Sequence, residues 1–207
     1  MSVSIEIKNL TKKFGNNHIL KNVSFIENGA KPLVFLGANG SGKSTLIKIL
    51  CGYLYYNSGK IIWNNDEDLM PDFAISAPYI DLFEHLTLEE HLSQHFNFKK
   101  RLNNFSNIEI LEQSNLLVHK AKFIKQLSSG LKQRFKNIQA IFSDTQVLFL
   151  DEPCSNLDEQ NIKLYRELLQ KFSATKTIII ASNNTCEYDF LCTVKYKIEN
   201  GSLKKSE

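Results

Sequence analysis

Eight consecutive residues, Gly37-Ala38-Asn39-Gly40-Ser41-Gly42-Lys43-Ser44, follow the pattern G-x-x-x-x-G-K-[ST], with Thr45 next. Each residue type has a chemical reason to be there. Glycines let successive backbone N–H groups turn inward around a phosphate. A helix starting at the end of the loop adds the partial positive charge of its N-terminus. Lys43 can reach β- and γ-phosphates as a point charge, and the Ser44 hydroxyl can coordinate Mg²⁺. The chemistry indicated is the holding of a nucleotide by its phosphates.

A second element would complete such a site. Val147-Leu148-Phe149-Leu150 is an unbroken apolar run that ends in two carboxylates, Asp151 and Glu152. Ligands of open α/β sheets sit at the C-terminal ends of the strands. Asp151 would hold Mg²⁺ directly or through water. Glu152 would polarise the attacking water.

These residues need a scaffold. Leu33-Val34-Phe35-Leu36 reads as a strand buried on both faces, and Thr45–Leu50 as a helix that stops near Gly52. Period-two alternation predicts a strand over Ser4–Leu10, and Ile19–Ile26 reads as another. Ile61–Trp63, Phe73–Ser76 and Thr177–Ile180 are further predicted strands, and Asp158–Phe172 is a predicted helix. From Ala77 to Lys125 the chain is polar. Leu88, Leu92, Phe96, Ile108, Leu111 and Leu116 recur there at helical spacing, which predicts a mostly helical insert. Strands alternating with helices make this an α/β chain with a parallel or mixed sheet.

Composition bounds the function. The 207 residues suffice for one sizeable core with a small insert. A net charge of +3, from 25 basic and 22 acidic side chains, makes no case for nucleic acid, and no nucleic-acid partner is expected. No apolar run is long enough to cross a bilayer, and the N-terminus carries no apolar leader core. Cys51, Cys154, Cys186 and Cys192 contain no C-x-x-C pair and read as reduced thiols of a cytosolic protein.

With these motifs in order, the chain resembles the ATP-binding cassette ATPases. Leu127-Ser128-Ser129-Gly130-Leu131-Lys132-Gln133-Arg134 looks like the family's L-S-G-G-Q signature, placed before Asp151 as in the family. Ser155-Asn156-Leu157-Asp158 looks like the loop that follows the acidic strand. Phe14 sits where the family has an aromatic that stacks on adenine. The resemblance runs from about Ile5 to Gly201. It implies a P-loop NTPase core with a mixed sheet, N-terminal antiparallel strands and a helical subdomain. The core would take residues 1–76 and about 131–207, and the insert about 77–130. It also implies a head-to-tail dimer with the same or another cassette. ATP would lie between the phosphate loop of one subunit and Ser128, Ser129 and Gly130 of the other. Separate transmembrane permease subunits would be the partners, touching the surface around Pro78 to Leu86; the alternatives within the family are a soluble cassette ATPase and a weakly hydrolysing, nucleotide-sensing regulatory subunit. The chain would then be cytoplasmic and peripheral on the inner face of the cell membrane, with almost every residue spent on one cassette.

Four positions depart from the family pattern. Ser129 stands for a signature glycine, and Leu131 for the usual glutamine. The family glutamine that links the metal site to the helical insert has no counterpart in Ser76-Ala77-Pro78-Tyr79-Ile80. The switch histidine is replaced within Ala181-Ser182-Asn183-Asn184, where Asn183 stands in for it. Asn183 can donate a hydrogen bond to a γ-phosphate oxygen but cannot become cationic. ATP binding with slow hydrolysis is therefore expected.

Other residues carry less. His91 and His95 are four apart in a predicted helix, a spacing that can bind metal, but no third ligand is evident and a solvated helix face is the expectation. His85 and His119 belong to no constellation. Tyr53, Tyr55, Tyr56 and Trp63 flank a predicted core strand and are read as packing residues. Lys99-Lys100-Arg101 and Lys204-Lys205 read as solvated basic runs.

Overall fold

A computed structural model describes residues 2–206. Two sheets form. Strands β1 (Ile5–Phe14), β2 (Asn17–Glu27) and β4 (Ser58–Trp63) make an antiparallel sheet in the order β2-β1-β4. Strands β3 (Leu33–Leu36), β5 (Phe73–Ser76), β6 (Val147–Asp151), β7 (Thr177–Ser182), β8 (Val194–Glu199) and β9 (Ser202–Ser206) make a second sheet, in the order β5-β6-β7-β3-β8-β9. It is parallel except for the β8–β9 hairpin. The fold is the mixed α/β arrangement with antiparallel N-terminal strands that the sequence implied.

Alternation along the central strands decides what packs where. Leu33, Phe35, Val147, Phe149, Ile179 and Ala181 point into a core shared with Ile5, Ile7, Leu20 and Trp63 of the antiparallel sheet. Helix α1 (Lys43–Leu50) joins that core through Leu46, Ile47 and Leu50. Val34, Leu148, Leu150, Ile178 and Ile180 point to the opposite face. Helices α2 (Leu88–Phe98), α3 (Asn107–Gln113), α4 (Ser129–Ile141) and α5 (Glu159–Phe172) contribute Leu92, Ile110, Phe135 and Leu169 there. Unbroken apolar runs in β3, β6 and β7 are thus the signature of strands covered on both sides.

β1 runs on to Phe14, beyond the Leu10 that alternation indicates. The register shifts between Ile7 and Leu10, where Asn9 adopts φ 49°. Leu10 and Thr11 are then both buried, so the alternation breaks while the strand continues. The helix starts are capped as the sequence allows. Thr87 and Glu90 form a capping box on α2, and the Asp158 carboxylate accepts from Asn161 N–H on α5, each worth about 1 kcal/mol.

Candidate functional site

The phosphate-loop segment joins β3 to α1. A Cβ on Gly37 would lie 2.5 Å from Ser41 Oγ and 2.7 Å from the Ile198 carbonyl oxygen, so only glycine fits. The loop closes through Ser41 N–H donating to the Ala38 carbonyl at 3.1 Å. Gly42, at φ 108°, precedes the first turn of α1. Lys43 is buried, and its ammonium donates to the Gly37 and Ala38 carbonyls at 2.8 and 3.1 Å. A cleft of about 880 Å³ runs along Gly37 to Ser41 and Asn183 toward His18, Lys21 and Asn200. Lys43, Ser44 and Asp151 are not among the residues that line it. Thr45, half-buried, continues α1.

Asp151 ends β6, opposite Ala181 of β7, and is 1% exposed. Burial pushes its pKa up. The Ser44 and Tyr79 hydroxyls and, more weakly, the Lys43 ammonium pull the other way. Neither carboxylate oxygen completes a hydrogen bond, and Ser41 Oγ and Tyr79 Oη are likewise buried without partners. A buried carboxylate without donors is costly. Beside the Ser44 hydroxyl, such a pair of oxygens suits a hard divalent cation.

Glu152 turns out of the strand with φ 46°, in the left-handed region that a glutamate enters at a cost of about 1–3 kcal/mol. The turn is held by Glu152 N–H donating to Ala181 O at 2.9 Å and Ser155 N–H donating to Glu152 O at 3.0 Å. Asn183, just after β7, donates from its amide to Asn39 Oδ1 at 2.8 Å.

Ser128 caps α4, accepting from Leu131 N–H at 3.3 Å, and Ser128 and Ser129 are exposed. Gly130 abuts the loop after β6: its Cβ position would be 2.7 Å from the Asn156 carbonyl oxygen. None of the three lines the cleft beside their own phosphate loop. Phe14 is 52% exposed, has the Lys12 ammonium 4.6 Å from its ring centre, and is also not on the cleft wall.

A buried polar network lay outside the sequence reading. Gln133 and Asn137 of α4 both donate to the Pro153 carbonyl, at 3.4 and 2.8 Å. The Ser76 hydroxyl donates to Asn137 Oδ1 at 2.6 Å. Together they tie the end of β5 and the segment just after β6 to α4, the helix that Ser128 caps. Two amides four apart in α4, Gln133 and Asn137, were the available signal. Glu187 was missed as well. It is 3% exposed and accepts from Cys154 N–H at 2.8 Å.

Two expectations are corrected. His91 and His95 are not on a solvated face. His91 is buried between Phe83 and Phe135 and bonds to Gln139, and His95 bonds to Ser143 at 2.9 Å. His91 ties α2 to Gln139 of α4, and His95 ties it to Ser143 just beyond α4, because this face of α2 packs against that helix and its C-terminal end. Tyr53, Tyr55 and Tyr56 are exposed, Tyr55 at 91%, because they follow α1 on a surface turn, whereas Trp63 is core. No group of three metal-ligating side chains occurs among the described residues.

The model of the ABC transporter family matches residues 20–155. The chain is 32% identical to the lantibiotic transport ATP-binding protein SrtF of Streptococcus pyogenes, over 90% of this chain and 83% of that protein. It is 30% identical to the uncharacterized ABC transporter ATP-binding protein YcbN of Bacillus subtilis, over 98% of this chain and 69% of that one. Its fold matches the ATP-binding cassette MJ0796, solved as a post-hydrolysis dimer bound to ADP and Pi, with TM-score 0.84, 22% identity and 98% of each chain covered. The matched region contains the phosphate loop, the signature segment and the acidic strand end, and with them the chain belongs to the ABC transporter family, as one of its ATP-binding cassette ATPases.

Proposed function

We propose that this ATPase is the energy-coupling subunit of a transporter whose membrane-spanning parts are separate chains. The observation that carries the reading is the meeting of Lys43 and Ser44, at the start of α1, with the unpartnered carboxylate of Asp151. Lys43 and the N–H groups of Gly37 to Thr45 would hold the β- and γ-phosphates of ATP. Ser44 and Asp151 would hold Mg²⁺, which when bound neutralises charge on the phosphate oxygens. Glu152 would accept the proton of the water that attacks the γ-phosphorus, while the bond to the ADP oxygen breaks. Asn183 would donate to a γ-phosphate oxygen. Phe14 would stack on the adenine. Ser128, Ser129 and Gly130 would cap the γ-phosphate of a second cassette, with exposed hydroxyls and the N-terminus of α4.

No helix among the described residues is long and apolar enough to cross a membrane; in this reading the passage through the bilayer is formed by a partner. A cleft of about 480 Å³ bounded by Leu82 to Leu86 and Gln94, with Phe83 62% exposed at its edge, supports docking of that partner near the helical insert, at the inner membrane face. Affinity purification from detergent-solubilised membranes tests this. A multi-span membrane protein is expected to co-purify with the wild-type chain and to be lost with Phe83→Asp. Recovery of soluble partners alone would contradict the transport reading.

A further inference from the structure

The segment after β5 lacks the glutamine of the family pattern, yet it delivers another side chain to the metal-binding carboxylate. β5 pairs in parallel with β6, Ser76 against Leu150, so the residues that follow Ser76 emerge beside Asp151. Ile80 N–H donates to the Ala77 carbonyl at 3.2 Å, closing a turn around Pro78 and Tyr79. The Tyr79 hydroxyl is buried and faces Asp151, short of a complete hydrogen bond; it has no other partner, and Asp151 has the Ser44 hydroxyl on its other side, also short of a complete bond.

The ring is fixed from two sides. Lys48 of α1 places its ammonium 3.9 Å from the ring centre, one helical turn beyond Ser44. Lys136 of α4 donates to the carbonyls of Ala77 and Pro78 at 3.3 and 2.9 Å. Tyr79 therefore spans from the phosphate helix to a segment anchored on α4. Filling that space needs only a ring. Placing a hydroxyl against an unpartnered carboxylate is what a ring alone would not explain.

We propose that Tyr79 is a positioning residue of the Mg²⁺ site, its phenol donating to Asp151 and so coupling that carboxylate to residues 77–80 and α4. A phenol, like a primary amide, both donates and accepts, so it can do this where the glutamine is missing. The inference rests on the reading of Ser44 and Asp151 as the magnesium ligands.

The test is a magnesium titration of binding of a fluorescent ATP analogue to the full chain, with melting temperatures and magnesium-free affinities measured alongside. Tyr79→Phe keeps the ring and its contact with Lys48. It is expected to raise the half-saturating magnesium concentration about tenfold, as loss of one hydrogen bond to a charged group would. Its magnesium-free affinity and melting temperature should stay at the wild-type values, and Tyr79→Gln should restore most of the magnesium dependence. A Tyr79→Phe titration equal to wild type would overturn the inference. So would an equal loss with and without magnesium, or a melting temperature lowered by more than a few degrees, since either marks a packing role. A wild-type chain whose nucleotide binding ignores magnesium would overturn the reading of Asp151 itself, and Tyr79 with it.

Discussion

The Asn183 amide donates to Asn39 Oδ1 at 2.8 Å, joining the end of β7 to the phosphate loop. Asn183, which the family resemblance reads as standing in for a switch histidine, is thereby tied to the phosphate-loop segment. A neutral amide stabilises charge developing on a γ-phosphate less than a cation can. Asn183→His is expected to raise the rate of phosphate release several-fold with little change in ATP affinity, and Asn183→Ala to lower it. A rate unmoved by both substitutions would remove Asn183 from the mechanism.

Gly130 tests the joint between the signature helix and the loop after the acidic strand. Alanine is normally the better helix former, by about 1 kcal/mol inside a helix. Here its Cβ would lie 2.7 Å from a backbone oxygen, that of Asn156, which has no side-chain freedom to yield. Overpacking of this kind costs about 1–3 kcal/mol, so the clash should win. Thermal denaturation should show Gly130→Ala melting several degrees below wild type, while Ser129→Gly, on the exposed side, stays close to it.

Glu187 should leave a mark on the alkaline side. Burial, with the carboxylates of Glu152 and Asp151 nearby, pushes its pKa from 4.5 up to about 7, although the Ser182 hydroxyl and the Cys154 N–H pull the other way. The folded state thus holds a proton that the unfolded chain releases above pH 4.5. The group's contribution to stability is complete below pH 4.5 and is lost as pH rises toward 7. Glu187→Gln keeps an acceptor for Cys154 N–H and stays neutral. The variant is expected to melt several degrees above wild type at pH 8 and level with it at pH 4. A difference independent of pH would contradict the assignment.

His95 acts in the opposite sense. Burial lowers its pKa from 6.5 to about 4, helped by His91, Lys99 and Arg101, while a bond to the Gln139 backbone opposes the shift. The unfolded chain takes up the proton first, so this contribution is present above pH 6.5 and lost as pH falls toward 4. His95→Gln retains a partner for Ser143. Its melting temperature should fall less than that of wild type between pH 6.5 and 4. Parallel curves would mean that the α2–α4 contact does not depend on a neutral imidazole.

Much of the catalytic core was legible because its signals are local. β3, β6 and β7 are continuous apolar runs, and the phosphate loop is one contiguous motif. β8 and β9 were missed for different reasons: Val194, Tyr196 and Ile198 do alternate with Lys195, Lys197 and Glu199 in β8 and that signal was overlooked, whereas β9 has Leu203 alone among polar residues. Tyr79, Glu187 and the Ser76–Asn137–Pro153 network were illegible for a different reason. Each acquires its meaning from a partner distant in sequence, 61 residues for Ser76 and Asn137 and 33 for Cys154 and Glu187. Spacing within one element cannot report such pairs. The histidines were misread on the same ground: four-residue spacing gave the face of α2 but not what covers it.

Phosphate release from the purified chain, measured beside ATP binding for wild type, Glu152→Gln and Lys43→Ala, tests the central claim most directly. Wild type should hydrolyse ATP slowly but measurably. Glu152→Gln should bind ATP as wild type does and release phosphate at least about a hundredfold more slowly, and Lys43→Ala should lose binding. Equal turnover in wild type and Glu152→Gln, or undiminished binding in Lys43→Ala, would contradict the account.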